Sequence, residues 1–589
     1  MGLDAWLCVG VVLAVLAVLV SGRVAPDAAL MGGLTTLLVG GVLSPQQALA
    51  AAATEGMATV GVLFVVVAGL TETGAVGLLG QRLLGRPRAL RRAQARLMAP
   101  VLVLSSFLNN TPVVAVFLPI VDEWARKLRL PLSGLLIPLS YAAILGGTCT
   151  LIGTSTNLVV DSWLRARTGM PGLGLFEIAA VGVPCSLAGS LFLLLAGPRL
   201  LPRRAPAFTA QDDVRQYTAE MEVEPDSPLV GQTIEQAGLR HLPGAYLMEI
   251  DRQGQLLPAV SSQERLHAGD RLAFVGVVES VVDLRKVRGL RPATTQVGKV
   301  AGAERQRSLV EAVVSDSCPL VGRSIRQGRF RSVYNAAVIA VARNGQRVRG
   351  KIGDIVLRSG DTLLLETHPA FAAQQRNARD FYLVSALDGA VVPRHERAGL
   401  ALGITGLMVL AAALGWLPIL VAALAAACLM LLAGCCSATT ARRHIDWQVL
   451  LVIVAAAGLG RGLEVSGAAG ALAGSLLAAV GGHPWLALGM VYGVTVLFTE
   501  VITNNAAALL VLPLALDTAG RMGVSPLPFA VAVMMAASAS FATPIGYQTN
   551  LMVMGPGGYR FTDYLRIGVP MGLLVGAVTV GLVPLIWGF

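Results

Sequence analysis

The sequence predicts an all-α polytopic membrane protein, built as an inverted repeat with two re-entrant hairpins and two broken helices. A pair of small cytoplasmic α/β domains is inserted between the repeats. Three observations support this prediction. The 589-residue chain is 54% hydrophobic and only 14% charged, a polar motif inside apolar sequence occurs twice, and the composition changes abruptly between about 202 and 395.

The bulk composition excludes several classes of protein. A mean hydropathy of +0.67 is too high for a soluble globular chain. The net charge of +11 comes from arginines clustered between apolar segments, as the positive-inside rule expects, and no basic patch is interleaved with aromatics, so nucleic acid is not a predicted partner. The seven cysteines and six histidines form no spacing typical of a metal site or a disulfide framework.

The first transmembrane repeat is predicted over 1–201. Basic clusters at 86–96 and 126–129 flank one apolar segment and place both of its ends on the cytoplasmic side. This segment is therefore predicted to be a re-entrant hairpin, with its polar tip at 109–112. The six apolar segments of spanning or nearly spanning length lie at about 4–22, 27–43, 56–84, 97–125, 133–163 and 174–200.

The segment after the hairpin is predicted to contain a broken helix at 146–157. Its density of glycines and hydroxyl groups interrupts helical hydrogen bonding. Exposed backbone at membrane depth is tolerated only where it faces protein or lines a cavity.

The insert over 202–395 is predicted to be cytoplasmic, because Arg203, Arg204 and Arg394 flank it. Its apolar runs have strand length. The heptapeptide at 228–234 recurs at 319–325, and a Gly-Asp pair follows each copy at the same distance. Two tandem α/β domains, at 208–295 and 300–385, are the expected structure.

The second transmembrane repeat is predicted over 396–589, with a hairpin tip at 503–505 and a broken helix at 543–550. If each hairpin counts as no crossing, each half has an odd number of crossings and the second half is inverted. This is the plan of secondary transporters. The apolar segments lie at about 398–414, 417–434, 447–478, 484–521, 526–555 and 563–588.

The four discontinuities are expected to meet near the membrane midplane. Helix N-termini carry unpaired N–H groups and a partial positive charge, which suit an anion. Backbone carbonyls and the oxygens of asparagine and serine suit sodium. Glu500 lies within the second hairpin and is either a proton-coupling carboxylate or a cap for hairpin backbone.

In these motifs the chain resembles the divalent anion/sodium symporter family, in the superfamily that also holds arsenite pumps and sodium/proton antiporters. Members carry Ser-Asn-Thr on each hairpin and a helix broken near Gly-Thr-Pro-Pro-Asn. Here the hairpin motifs are Asn109-Asn110-Thr111 and Thr503-Asn504-Asn505, and the breaks begin at Gly153 and Gly546. The resemblance implies sodium ligands at Ser105, Asn109, Asn110, Gly153, Thr499, Ile502, Asn504 and Gly546, and anion ligands at Asn110, Thr111, Thr154, Asn504, Asn505, Tyr547 and Gln548.

Departures from the family pattern favour sulfate. Tyr547-Gln548 stands where dicarboxylate carriers have Thr-Pro, and the string 543–550 followed by 555–559 looks like the sulfate-permease branch. The inserted domains resemble the C-terminal ligand-binding lobe (RCK-C, or TrkA-C) of potassium-uptake regulators. A small regulatory ligand such as a nucleotide is therefore an expected partner, and no NAD site is implied.

We expect a secondary transporter of the inner membrane, not an enzyme, that carries a divalent oxyanion inward with sodium and needs no cofactor. The family resemblance adds an elevator-type movement, a homodimer and contact with membrane lipid. Protons are the alternative coupling ion. A dicarboxylate symporter, an arsenite or sodium/proton exchanger and a membrane-bound sulfur sensor are the alternative functions.

Overall fold

A computed structural model describes most of the chain, in two compact units. The membrane unit comprises Met1–Arg204 with Val392–Phe589, and the insert unit comprises Ala205–Val391. Arg203, Arg204 and Arg394 lie outside the described residues. Those described are 2–21, 24–85, 87, 89–128, 130–202, 218–239, 245–253, 255–258, 263–276, 287–293, 308–315, 318–343, 346–348, 352–367, 371, 380–386 and 395–589.

Ten α-helices are described in the first part of the membrane unit. They are α1 Leu3–Ser21, α2 Pro26–Val39, α3 Pro45–Ala52, α4 Glu55–Glu72, α5 Ala75–Leu84, α6 Leu90–Ser105, α7 Asn110–Leu128, α8 Leu136–Gly147, α9 Ser155–Thr168 and α10 Ala179–Leu200.

The insert unit contains two five-stranded antiparallel sheets. The first has the strand order β3-β2-β4-β1-β5 and the second the order β10-β6-β9-β7-β8, so the two sheets have the same topology. The strands are β1 Thr218–Val223, β2 Ala245–Arg252, β3 Gln255–Pro258, β4 Arg271–Gly276, β5 Leu290–Pro292, β6 Ser308–Val314, β7 Ala336–Arg343, β8 Gln346–Arg347, β9 Thr362–Thr367 and β10 Phe381–Ala386, with a short helix α11 Phe330–Tyr334 before β7.

The repeated Gly-Asp pairs of the insert have a structural role. Asp270 accepts hydrogen bonds from Arg252 Nε at 2.9 Å, and Asp361 accepts one from Arg343 Nε at 2.7 Å. Both carboxylates are almost fully buried, and the hydrogen bond to Asp361 raises the pKa of Arg343. A buried charge needs a partner, so each Gly-Asp motif specifies an ion pair in its own sheet.

Ten further α-helices are described after the insert. They are α12 Ala398–Ala413, α13 Ile419–Leu432, α14 Ala438–His444, α15 Trp447–Val465, α16 Ala468–Val480, α17 Pro484–Thr499, α18 Asn504–Met522, α19 Pro526–Ser538, α20 Gln548–Met554 and α21 Phe561–Trp587.

The two sets of ten helices follow the same order, so that α1 corresponds to α12 and α10 to α21.

Two apolar segments that the sequence suggested as single spans, 56–84 and 447–478, are each divided at the same place. Gly74 precedes α5 with φ 66°, and Gly467, 393 residues later, precedes α16 with φ 76°. Glycine adopts this left-handed conformation without steric cost, which explains the turn in both copies.

Helix packing repeats in a reciprocal way. Helix α2 packs on α15, and the corresponding pair α13 and α4 also pack together. Near the chain breaks, α9 packs on α19 while α20 packs on α8. Each half therefore contributes the same helices to the interface with the other half.

The helices have the composition of membrane-spanning segments. Leu187, Leu191 and Leu195 are 56–67% exposed along one face of α10, where water would be an unfavourable neighbour. By length and composition, five of the described helices can cross a membrane, namely Leu3–Val20, Glu55–Glu72, Ala179–Leu200, Trp447–Val465 and Phe561–Trp587.

Candidate functional site

The first helix interruption is a short loop that separates α8 from α9. It covers 148–154, inside the predicted 146–157. Asn157, in the first turn of α9, donates from Nδ2 to the carbonyl oxygens of Thr150 at 3.0 Å and Gly147 at 3.4 Å. Thr150 Oγ1 donates to the carbonyl oxygen of Ser106, in the turn between α6 and α7. The loop is thereby bonded to the next helix and to the first hairpin.

The second interruption repeats these bonds. It covers 539–547, so it begins four residues before the predicted 543–550. Asn550 Nδ2 donates to the carbonyl oxygens of Ser540 at 3.0 Å and Thr543 at 3.1 Å, and Thr543 Oγ1 donates to the Glu500 carbonyl at 2.8 Å. The spacings of ten and seven residues from asparagine to carbonyl are those of the first interruption.

Glu500 satisfies the backbone of the second interruption. Its two carboxylate oxygens accept the N–H groups of Ala542 and Thr543, each at 2.8 Å, and Ser540 Oγ donates to it at 3.3 Å. Ser106 occupies the position in the first hairpin that corresponds to Glu500. These bonds are those of a cap on exposed backbone.

Two glycines allow the hairpins to approach the interruptions closely. A Cβ atom added to Gly153 would lie 2.6 Å from the Gly147 carbonyl oxygen and 3.0 Å from that of Ser105. A Cβ atom added to Gly546 would lie 2.5 Å from the Thr499 carbonyl oxygen. Both glycines are therefore required by close backbone contact.

Polar side chains from both halves converge on the hydroxyl group of Tyr547. Asn110 Nδ2 donates to this hydroxyl, and the side chains of Thr154 and Asn504 lie close to it. Asn110 is fully buried, Thr154 is 2% exposed and Tyr547 6%. Four of the predicted anion ligands thus lie together in a buried polar cluster.

The remaining predicted anion ligands form two further bonds between the halves. Thr111 Oγ1 donates to Gln548 Oε1 at 3.1 Å. Asn505 Nδ2 donates to Ser155 Oγ at 3.0 Å, and Asn505 Oδ1 accepts from Thr156 Oγ1 at 3.2 Å. Each hairpin helix is therefore bonded to the broken helix of the opposite half.

The predicted cation ligands are only partly brought together. Ser105 Oγ donates to Asn110 Oδ1 at 2.6 Å, close to Gly153. Thr499 lies against Gly546, and its hydroxyl donates to the Ala537 carbonyl at 2.7 Å.

The structure shows a backbone contact of Ile502 and a pocket beside Asn109. The backbone N–H of Ile502 donates to the Phe498 carbonyl at 2.8 Å, which continues the last turn of α17. Asn109 lines a largely apolar, partly open pocket together with Ser155 and side chains of α4, among them Phe64.

Several residues that hold the site were not singled out from the sequence. The spacing of Thr150 to Asn157 equals that of Thr543 to Asn550, a signal that was available in the sequence. Ser140 carried no such signal. It lies in an apolar helix, and its hydroxyl donates to Asn550 Oδ1 at 2.7 Å and lies 2.9 Å from Thr549 Oγ1, across the two halves.

Comparison with known proteins agrees with this arrangement of helices and motifs. The profile of the citrate transporter family (CitMHS) matches residues 14–533 and 503–589. The chain belongs to the citrate transporter family. As a member of this family, the protein is a membrane transporter and not an enzyme. This confirms the prediction of a transporter and the prediction that the protein is not an enzyme.

Three relatives of this family member align along most of its length. It is 35% identical to a Chlamydomonas reinhardtii protein named as a sulfur deprivation response regulator, over 95% of this chain and 98% of that protein. It is 34% identical to an uncharacterised transporter of Synechocystis, over 94% and 92%. It is 28% identical to sodium/sulfate cotransporter 1 of Chlamydomonas reinhardtii, over 91% and 84%.

The close approach of Gly153 and Gly546 can be tested by Gly153→Ala and Gly546→Ala. Each added methyl group meets a backbone carbonyl that cannot rotate away, so we expect a loss of about 1–3 kcal/mol in the free energy of unfolding. Gly572→Ala is the control, because no atom lies within 4 Å of its Cβ position. The midpoint of thermal unfolding, measured in detergent by tryptophan fluorescence, should fall for the first two variants only. Equal midpoints in all three variants would contradict the geometry.

Proposed function

We propose that this transporter takes up a divalent oxyanion, with sulfate favoured, together with sodium. The observation that carries the proposal is the convergence of Asn110, Thr154 and Asn504 on the Tyr547 hydroxyl. Neutral hydrogen-bond donors at helix starts can bind a dianion without a fixed positive charge. The relative named sodium/sulfate cotransporter supports both the anion and the coupling ion.

In this proposal the Tyr547 hydroxyl accepts a hydrogen bond from a donor that the anion also requires. The N-terminal residues of α7 and α18 supply the asparagines, and α9 follows directly after Thr154. An incoming oxyanion replaces the phenol oxygen as the acceptor for the Asn110 amide. Thr111, Asn505 and Gln548 complete the proposed anion site around it.

Sodium is proposed to bind beside each glycine of the interruptions. Ser105, Asn109, Asn110 and the Gly153 carbonyl form the first proposed ligand set. Thr499, Asn504 and the carbonyls of Ile502 and Gly546 form the second. Neutral oxygens of this kind suit a monovalent cation whose charge accompanies the anion.

The proposed inverted repeat is supported by two ion pairs at the end of α9. Arg165 pairs with Glu55 at 3.3 Å, and Arg167 pairs with Glu464 at 3.2 Å. Glu55 is the first residue of α4, whereas Glu464 is next to the last residue of the corresponding helix α15. The end of α9 thus contacts the first turn of α4 and the last turn of α15, which are opposite ends of two corresponding helices. This arrangement is expected if the two halves are antiparallel.

The remaining features of the proposal follow from the family resemblance. The hairpin-bearing helices move as an elevator against a scaffold that forms a homodimer in contact with lipid. Membrane domains 1–201 and 396–589 lie in the inner membrane, and 202–395 is cytoplasmic. Domains 208–295 and 300–385 are RCK-C-like and regulate uptake in response to a small ligand such as a nucleotide.

A second candidate function is that of a membrane-bound sulfur sensor. It is favoured by the name of one relative, a sulfur deprivation response regulator, which aligns over 95% of the chain. In that case the anion binds without being transported, and the insert transmits the signal.

Uptake into proteoliposomes distinguishes the two candidates. With an imposed inward sodium gradient, we expect the wild-type protein to concentrate radiolabelled sulfate. Asn110→Ala and Asn504→Ala should each reduce the initial rate at least about tenfold, because each removes a ligand of the proposed sites, a loss of about 1.4 kcal/mol or more. Sulfate binding without uptake under sodium or proton gradients would favour the sensor. Neither binding nor uptake would favour a dicarboxylate or arsenite as the substrate.

Glu500→Gln tests whether this carboxyl couples transport to protons. The amide of glutamine presents one acceptor oxygen where the carboxylate presents two, so the variant should be less stable by about 1–3 kcal/mol. If Glu500 is a cap, the pH profile of sulfate uptake should keep the wild-type shape. A pH profile that becomes flat only in Glu500→Gln would instead identify a proton-coupled exchanger. Glu500→Asp, which keeps the charge, is the matched variant.

Deletion of 208–385 tests the proposed regulatory role of the insert. We expect uptake to persist, because the membrane unit forms its own compact set of contacts, but to lose its response to cytoplasmic nucleotides. Wild-type proteoliposomes loaded with the same nucleotides provide the reference. Unchanged uptake kinetics and an unchanged nucleotide response in the deletion variant would exclude the proposal.

A further inference from the structure

The side-chain amide of Asn157 is fully buried and only half satisfied. Its Nδ2 donates to the carbonyl oxygens of Gly147 and Thr150, which determines the orientation of the amide. Its Oδ1 has no hydrogen-bond partner. An unpaired buried amide oxygen is unfavourable, so a ligand is expected to bind it.

The corresponding amide of Asn550 is fully satisfied. Its Nδ2 makes the same two bonds to the second interruption, but its Oδ1 also accepts a hydrogen bond from Ser140 Oγ at 2.7 Å. Ser140 belongs to α8, which packs on α20. The two asparagines therefore differ in one hydrogen bond, which Ser140 of the opposite half donates to Asn550.

The position that corresponds to Ser140 holds a different residue in the second half. The interruptions correspond at a spacing of 393 residues, from Asn157 to Asn550, and the same spacing relates Ser140 to Val533. Val533 is fully buried in α19, the helix that packs on α9. Valine has no hydrogen-bond donor, so Asn157 lacks the partner that Asn550 has.

The groups around the first interruption favour a cation over an anion. The Gly147 carbonyl oxygen lies within 3.4 Å of Asn157 Nδ2, and a Cβ atom on Gly147 would lie 2.5 Å from Asn110 Oδ1. The neighbouring Gly153 contacts the Ser105 carbonyl. This neighbourhood is rich in oxygen atoms, and electron-rich oxygens of low charge bind an alkali cation.

We propose that Asn157 Oδ1 is an additional ligand of the sodium ion at the first interruption, and that the two sodium sites are consequently unequal. The inference rests on the sodium coupling of the proposed function. The first site gains an amide oxygen that no hydrogen bond engages, whereas Asn550 Oδ1 already accepts a hydrogen bond from Ser140 and is the weaker ligand. The first site is therefore the tighter of the two.

The variant Val533→Ser supplies the missing donor without altering any proposed ligand. A serine at this position is expected to donate a hydrogen bond to Asn157 Oδ1, as Ser140 does to Asn550 Oδ1. Because this oxygen then has a partner, it contributes less to sodium binding. In ²²Na⁺ binding to the purified protein, we expect the sodium Kd of the tighter site to rise about tenfold. The KM for sulfate at saturating sodium should stay unchanged.

Ser140→Val is the matched control, because it removes a donor from the other half. It should leave the sodium Kd of the first site at the wild-type value. A second measurement is the rise in unfolding midpoint on adding sodium, which reports binding to the folded state. This rise should be smaller in Val533→Ser than in the wild type, while the midpoint without sodium is maintained.

The outcomes separate this inference from the proposed function. Sodium binding to the wild type with an identical Kd in Val533→Ser would overturn the role of Asn157 and leave sodium coupling intact. Absence of sodium binding in the wild type would overturn both.

Discussion

The membrane unit depends on the need to satisfy backbone polar groups where helices are interrupted away from water. Each interruption leaves N–H and carbonyl groups that no helix can pair. Asn157 and Asn550 each donate two hydrogen bonds to carbonyl oxygens at their own interruption. Thr150 and Thr543 then bond the two loops to the hairpin turns. These bonds hold each hairpin against its interruption, which brings the polar side chains of both halves within reach of one another.

Two corresponding sets of helices provide the scaffold, and differences between the sets provide distinct local chemistry. The helices follow the same order in both halves and pack reciprocally, as α9 on α19 and α20 on α8. Within this symmetry, Glu500 caps the second interruption where the first has Ser106. Tyr547 reaches the amide of Asn110, whereas the matching position of the first half holds Thr154. The two halves therefore present unequal groups at their interruptions.

Much of the site could be predicted from the sequence because repeated polar residues inside apolar segments are conspicuous. Asn110, Asn504, Thr154 and Tyr547 were predicted as ligands, and the structure brings their side chains together. The carbonyl of Ile502 and the side chain of Asn109 were predicted for the same region, and their role as ligands stays a prediction. Ser140 could not be found this way, since a lone serine in an apolar helix has no local pattern. Its partner Asn550 is 410 residues away.

The sequence by itself determined that this is a helical membrane protein, and it predicted one hairpin tip and one broken helix in each half of the chain. Composition and motif spacing are local properties, and hydrophobic segments in a membrane have few alternatives to the helix. Only the tertiary structure decided which groups meet. It showed that the insert aspartates pair with Arg252 and Arg343, that Glu500 caps backbone, and that one asparagine amide oxygen remains without a partner. These contacts join residues distant in the chain, so they depend on how helices and strands pack and not on any local pattern.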